Sequence, residues 1–159
     1  MSIFVGQQDM MFASKEHYEF YHQTAERLNA DCYLASLIYT VGISEDTRRR
    51  WNSFYDEANR QIKTEVLQEG WQTSGSKRIT RLAFQLFTDG TPTAITFDEK
   101  DNSQEDFREC QFYSVSDIFC CENAPFFVEA IKLRYPEYFM SRSVYNETSR
   151  NMEKAKEEK

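Results

Sequence analysis

Glycine and proline are scarce in this 159-residue chain, at five and three. So few turn formers leave long elements between them, which favours helices over a many-stranded sandwich. Histidine is scarcer still, at two, and the four cysteines lack paired C-x2-C spacing: Cys120 and Cys121 are adjacent, while Cys32 and Cys110 stand alone. Zinc sites typically draw on such pairs, so we expect no metal and no cofactor, and we expect the thiols in the core, where cysteine is usually found. No apolar run approaches the ~20 residues of a membrane span. The opening MSIFVGQQDMMF is too short and lacks the basic flank of a secretory signal. A cytosolic setting with reduced thiols is the expectation.

Aromatic residues, by contrast, are plentiful, with 13 Phe and 9 Tyr in a chain that is 40% apolar. That load argues for a folded globule and against disorder, and the length is enough to bury a core without staples. The formal net charge of −7 disfavours non-specific nucleic-acid binding. It is unevenly spread. Residues 98–109, DEKDNSQEDFRE, hold six acids and two bases, whereas residues 44–81 hold eight bases and six acids. An acidic loop and a basic helix edge suit a charged protein partner.

The stretch VLQEGWQTSGSKRITRLAFQLF, residues 66–87, carries the sharpest local pattern. Ile79, Leu82, Ala83, Leu86 and Phe87 follow the spacing of one helical face. Ser74 or Ser76 is the expected N-cap and Gly90 the expected left-handed terminator. Lys77, Arg78, Arg81 and Gln85 fall opposite, so this helix is expected mid-core with its basic edge in water or on a partner. Ahead of it, Ser14 starts a first helix with Tyr18, Tyr21, Ala25 and Leu28 inward and Asn29 near its end. Asp31 starts a second, apolar nearly all round, that ends at Gly42. Ser44 caps a third, in which Trp51, Phe54, Tyr55, Ala58 and Ile62 recur at helical spacing, and Arg48, Arg49 and Arg50 point several ways. Beyond Gly90, TPTAITF reads as a short strand whose one obvious partner is the leader's Ile3-Phe4-Val5, and DEKDNSQEDFRE reads as a flexible excursion. Ser114 or Ser116 caps a short helix, and Asn123 with Pro125 opens the last core helix, which Pro136 stops. The expected fold is all-α: a compact bundle of five to six short helices with an irregular acidic insertion (90–112) and a short β-hairpin. A leader arm (1–10) precedes the helical domain (11–139), and a polar tail (140–159) follows.

Little in the sequence carries chemistry. Gly70 to Lys77 resembles a phosphate loop only in part, because Ser76 separates Gly75 from Lys77 and Arg78 stands where the metal-binding hydroxyl belongs. Glu19 and His22 have the Glu-x-x-His spacing of di-iron bundles, but no second such pair exists. No residue is assigned a catalytic role. A helix N-terminus beside cations can nevertheless hold an anion, such as a partner's carboxylate, and Trp71 is either an exposed anchor or a lid over the core. The candidate partner-binding residues are Trp71, Gln72, Ser74, Lys77, Arg78 and Arg81.

On MFASKEHYEFY, VLQEGWQTSGSKRITRLAFQLF and YSVSDIFCCENAPFFVEAIKLRYPEYF, the chain resembles an uncharacterised family, a domain of unknown function, of small helical proteins from Firmicutes and their mobile elements and phages. The resemblance covers about residues 11–139, and residues 90–112 look like an insertion in its pattern. It implies a compact helical fold and a prokaryotic or phage setting, and no activity. Small acidic proteins of such elements often serve as accessory or anti-defence factors, anti-CRISPR proteins among them. The expected function is therefore a non-enzymatic protein–protein interaction module that binds a host protein. The alternatives are an enzyme of unrecognised type using the thiols with His17 or His22, and a nucleic-acid binder using the basic helix 76–88.

Overall fold

Ser14, Asp31, Ser44 and Ser114 each start a helix by offering a side-chain oxygen to a free first-turn N–H. In the computed structural model, which describes residues 10–100, 102–139 and 150, these four caps set most of the chain's punctuation. Ser14 accepts from the N–H of His17 at 3.0 Å and opens α1, Lys15–Arg27. Asp31 accepts from Leu34 at 2.9 Å and opens α2, Cys32–Gly42. Ser44 opens α3, Glu45–Arg48, and Ser114 opens α6, Val115–Phe119. Asn29 between α1 and α2 has φ of 48°, the left-handed conformation Asn tolerates best among larger residues.

The chain is mostly helical, as the composition requires, and α2 is its axis. Every residue from Leu34 to Gly42 is buried, as an all-round apolar helix must be. Helix α1 packs on one side of α2, α5 (Ser74–Thr88) on a second and α7 (Ala124–Arg134) on a third. The helix with the clearest amphipathic pattern, α5, is thus the main neighbour of the central helix and not the centre itself. It buries Ile79, Leu82, Ala83, Phe84 and Leu86. The inner positions of α1 are His17, Tyr21, Thr24 and Ala25; Tyr18, expected inward, is half exposed.

Three local expectations are corrected. The third helix does not run on to Ile62. It breaks into α3 and α4 (Trp51–Phe54), and Tyr55–Asp56 (β1) pairs antiparallel with Gln61–Ile62 (β2). The Asp56 carboxylate accepts from the N–H groups of Ala58 and Asn59 at 3.0 and 3.1 Å. Such a turn competes directly with helix propagation, and Arg60 completes it at φ 55°. Helix α5 is capped by Thr73, which shares a reciprocal capping box with Ser76, so neither Ser74 nor Ser76 is the N-cap. It ends on Asp89 at φ 57°, one residue before Gly90.

The acidic excursion is ordered by its own side chains. Ile95–Phe97 (β3) pairs antiparallel with Ser103–Glu105 (β4), and Asp98 accepts the N–H groups of Lys100 and Asn102 at 2.8 and 2.9 Å to close the turn. The strand's partner is therefore local. Ile3-Phe4-Val5, with the rest of the leader up to Asp9, lies outside the described residues, and so does the tail apart from Arg150. A 3-10 segment, Phe107–Phe112, leads into α6. Helix α7 begins after Asn123 with Pro125 in its first turn, and Pro136 opens a final turn, α8 (Pro136–Phe139).

Candidate functional site

The N-terminus of α5 stands at the rim of a hollow of about 330 Å³ lined by Gln72, Thr73, Ser74, Lys77, Arg78, Arg81, Phe112 and Asp117. Five of the six candidate binding residues are in that lining. Helical spacing brings Ser74, Lys77, Arg78 and Arg81 to one side of α5, and the far wall comes from the 3-10 segment and α6. Thr73 Oγ1 accepts the N–H of Ser76, and its carbonyl accepts the N–H of Lys77. Among the described residues no acceptor sits on the N–H groups of Ser74 and Gly75, the open donors of the first turn.

The residues differ in what they are free to do. Gln72 is a strut: its Nε2 donates to the Val66 carbonyl at 3.1 Å and to Thr80 Oγ1 at 3.0 Å, and its Oε1 accepts from Ser76 Oγ. The guanidinium of Arg78 donates to the Cys120 carbonyl, tying α5 to the end of α6. Arg81 is engaged twice. It donates to the Glu109 carboxylate, both side chains being largely shielded at 11% and 16% exposure, and it lies 4.6 Å from the centroid of the Phe112 ring. Of the three cations only Arg81 has an ion pair among the described residues, and Lys77 alone has neither an ion pair nor a side-chain hydrogen bond there. The basic edge thus folds back onto the chain at Arg78 and Arg81 and is left open at Lys77.

Trp71 does not line the hollow. Its indole N–H donates to Glu69, its ring centroid lies 6.1 Å from that of the tilted Phe54 ring, and Arg50 sits 4.4 Å over the ring. It is half-buried and packs against the core. Arg48 donates to the Gly42 carbonyl, and Arg49 and Arg50 pair with Glu45 and Asp46, so these three diverge.

The groups weighed for catalysis are dispersed. His17 is fully buried; its Nδ1 accepts the N–H of Ala13 at 3.1 Å, which places the proton on Nε2, donated to the Tyr39 carbonyl at 2.7 Å. Burial pushes its pKa down to about 4, so the ring is neutral with both nitrogens occupied by backbone. Burial also lowers His22. The thiols are free and none is fully buried, which corrects the core expectation: Cys32, Cys110 and Cys121 are half-buried and Cys120 is exposed. Cys110 and Cys121 face the carbonyls of Thr91 and Ile118, and Cys32 lies 4.0 Å from the Arg134 guanidinium. Among the described residues no three His, Cys, Asp or Glu side chains gather around a common metal position, and no helix is long and apolar enough to cross a membrane.

Sequence pattern alone does not single out Thr73, Phe112 or Asp117. The T-x-x-S pattern of Thr73 and Ser76 was the available signal for the first; the other two reach the hollow only through the tertiary fold. No curated protein and no solved structure matches the chain. One family model does, over residues 7–147, and with that span the chain belongs to the family of unknown function DUF6075.

Proposed function

We propose that the chain is a non-enzymatic protein-interaction module that receives an acidic side chain of a partner protein in the hollow beside α5. The observation that carries this reading is Lys77: an unpaired ammonium in a hollow that also holds open first-turn N–H donors. Both favour a carboxylate there. Arg78 and Arg81 shape the wall, because their hydrogen-bonding capacity is partly spent on Cys120 and Glu109. The mobile-element setting implied by the resemblance makes a host protein the natural partner, and an anti-defence role one use of such a module.

The experiment is a comparative pull-down from the source organism with the wild-type chain, Lys77→Glu, and Lys15→Glu as a distant exposed control. A partner retained by Lys15→Glu and lost with Lys77→Glu supports the reading; a partner indifferent to Lys77→Glu removes it. Duplex DNA serves as the counter-probe. Binding to it that falls steeply with salt would assign the hollow to phosphate instead.

A further inference from the structure

The hairpin β3–β4 carries large apolar side chains that the fold itself does not use. Ile95 is 44% exposed, Phe97 68% and Phe107, just past β4, 70%. The register explains why. Ile95 lies opposite Glu105 and Phe97 opposite Ser103, so these four share one face of the pleat. Ala94, of the other parity, is buried at 2% exposure. The face bearing Ile95 and Phe97 is therefore turned away from the body of the protein.

The same register exposes a backbone edge. Asp98 N–H donates to the Asn102 carbonyl at 3.0 Å and Asp106 N–H to the Ala94 carbonyl at 3.2 Å. Bonded pairs alternate along an antiparallel ladder, so the N–H and C=O groups of Ile95 and Phe97 point outward from β4. Among the described residues this sheet has two strands only. An open edge beside uncovered apolar side chains is the geometry that accepts an added strand.

Charge selects the occupant. Carboxylates stand at both ends of the apolar stripe, Asp98 and Glu99 at the turn and Glu105 and Asp106 at the other end; Lys100 in the turn and Arg108, paired with Asp106, offset two of the four and leave the rim net negative. A second copy of the chain would set this acidic rim against itself, and like charges brought together are costly. Residues 1–9 contain no Lys or Arg, so the leader lacks the complementary charge. We infer that the outer edge of β3 binds an extended segment of a partner protein, apolar in its middle and flanked by Lys or Arg, as a third strand. None of these residues lines the hollow beside α5, so this surface is separate from the one proposed above and opposite to it in sign.

The probe is a synthetic peptide of Val-Thr repeats flanked by paired lysines, titrated against the full chain by fluorescence anisotropy. Its companion carries glutamates in place of the lysines. The lysine peptide is expected to bind, the glutamate peptide about tenfold or more weaker, and Phe97→Ser to weaken the lysine peptide by a similar factor. Far-UV circular dichroism of Phe97→Ser should match the wild type, because the side chain is exposed. Lys77→Glu should leave the affinity unchanged, which separates this surface from the hollow. The inference is overturned if the lysine peptide does not bind, if Phe97→Ser binds it as well as wild type, or if the chain forms a dimer that Phe97→Ser abolishes.

Discussion

His17 and Tyr39 lock α1 to α2 through a single bond, Nε2–H to carbonyl at 2.7 Å, between groups with no access to solvent. The bond is one part of a wider clasp. Tyr39 Oη donates back to the Met11 carbonyl, Ala13 N–H donates to His17 Nδ1, and the Phe12 ring packs edge-on at 5.1 Å from His17. The segment ahead of α1 is held to the central helix by an imidazole that must stay neutral.

That requirement gives a pH dependence. The folded pKa of His17, about 4, lies below the ordinary 6.5. Between these values the unfolded chain binds the proton more readily, so stability is complete above about pH 6.5 and declines as pH falls towards 4. The full loss is on the order of 3 kcal/mol, and His22, shifted the same way, adds to it. Urea unfolding at a series of pH values between 7 and 5 should show the decline. His17→Leu should be less stable overall but with a shallower slope over that interval.

Gly42 is required by this packing and not by its backbone angles. A Cβ there would lie 2.7 Å from His17 Cδ2 and 2.9 Å from Phe20 Cδ1, and His17 is fixed by hydrogen bonds at both ring nitrogens. Alanine would gain about 1 kcal/mol in helix propensity, yet overpacking costs about 1–3 kcal/mol. We expect Gly42→Ala to lower the urea midpoint. A raised midpoint would mean that α1 can move away from α2 at little cost.

Glu57 fastens the end of α1 to the β1–β2 hairpin. Arg27 donates to both its oxygens, at 2.7 and 2.8 Å, and Trp51 Nε1 donates at 2.8 Å. The hydrogen bonds from Arg27 and then Trp51 hold its carboxyl down to about 2. A depressed carboxylate contributes stability above about pH 4.5 that is lost as pH falls towards 2, a window below that of His17. Because the pair is partly exposed, we expect Glu57→Gln to cost only about 1–2 kcal/mol, less in high salt. A double-mutant cycle with Arg27→Ala would isolate the pair.

How much of this was readable follows from how local each cause is. Ser14, Asp31, Ser44 and Ser114 act on N–H groups within three residues, so the caps can be read directly. The apolar run of α2 fixes its burial by itself. The third helix misled because Phe54, Tyr55, Ala58 and Ile62 keep helical spacing while Asp56, among them, builds a turn. Strand β4, Ser-Gln-Glu, has no apolar alternation, so only its pairing with β3 defines it. The basic edge was visible as composition, but its division into used and unused cations depends on Cys120 and Glu109, 42 and 28 residues away.

That division leads to the sharpest contrast in stability. Removing Arg81 leaves Glu109 shielded without its cation and uncovers the Phe112 ring. Breaking a well-shielded ion pair from one side costs about 3–5 kcal/mol, and the loss should fall on the junction between the excursion and α5. Removing Lys77 leaves no partner behind, so Lys77→Ala should lie within about 0.5 kcal/mol of wild type. Thermal and urea unfolding of the two variants side by side would test this, with hydrogen exchange across residues 107–112 rising only in Arg81→Ala. Equal destabilisation would mean that Lys77 also carries a structural load, and a loss of binding in Lys77→Glu could then no longer be assigned to the hollow.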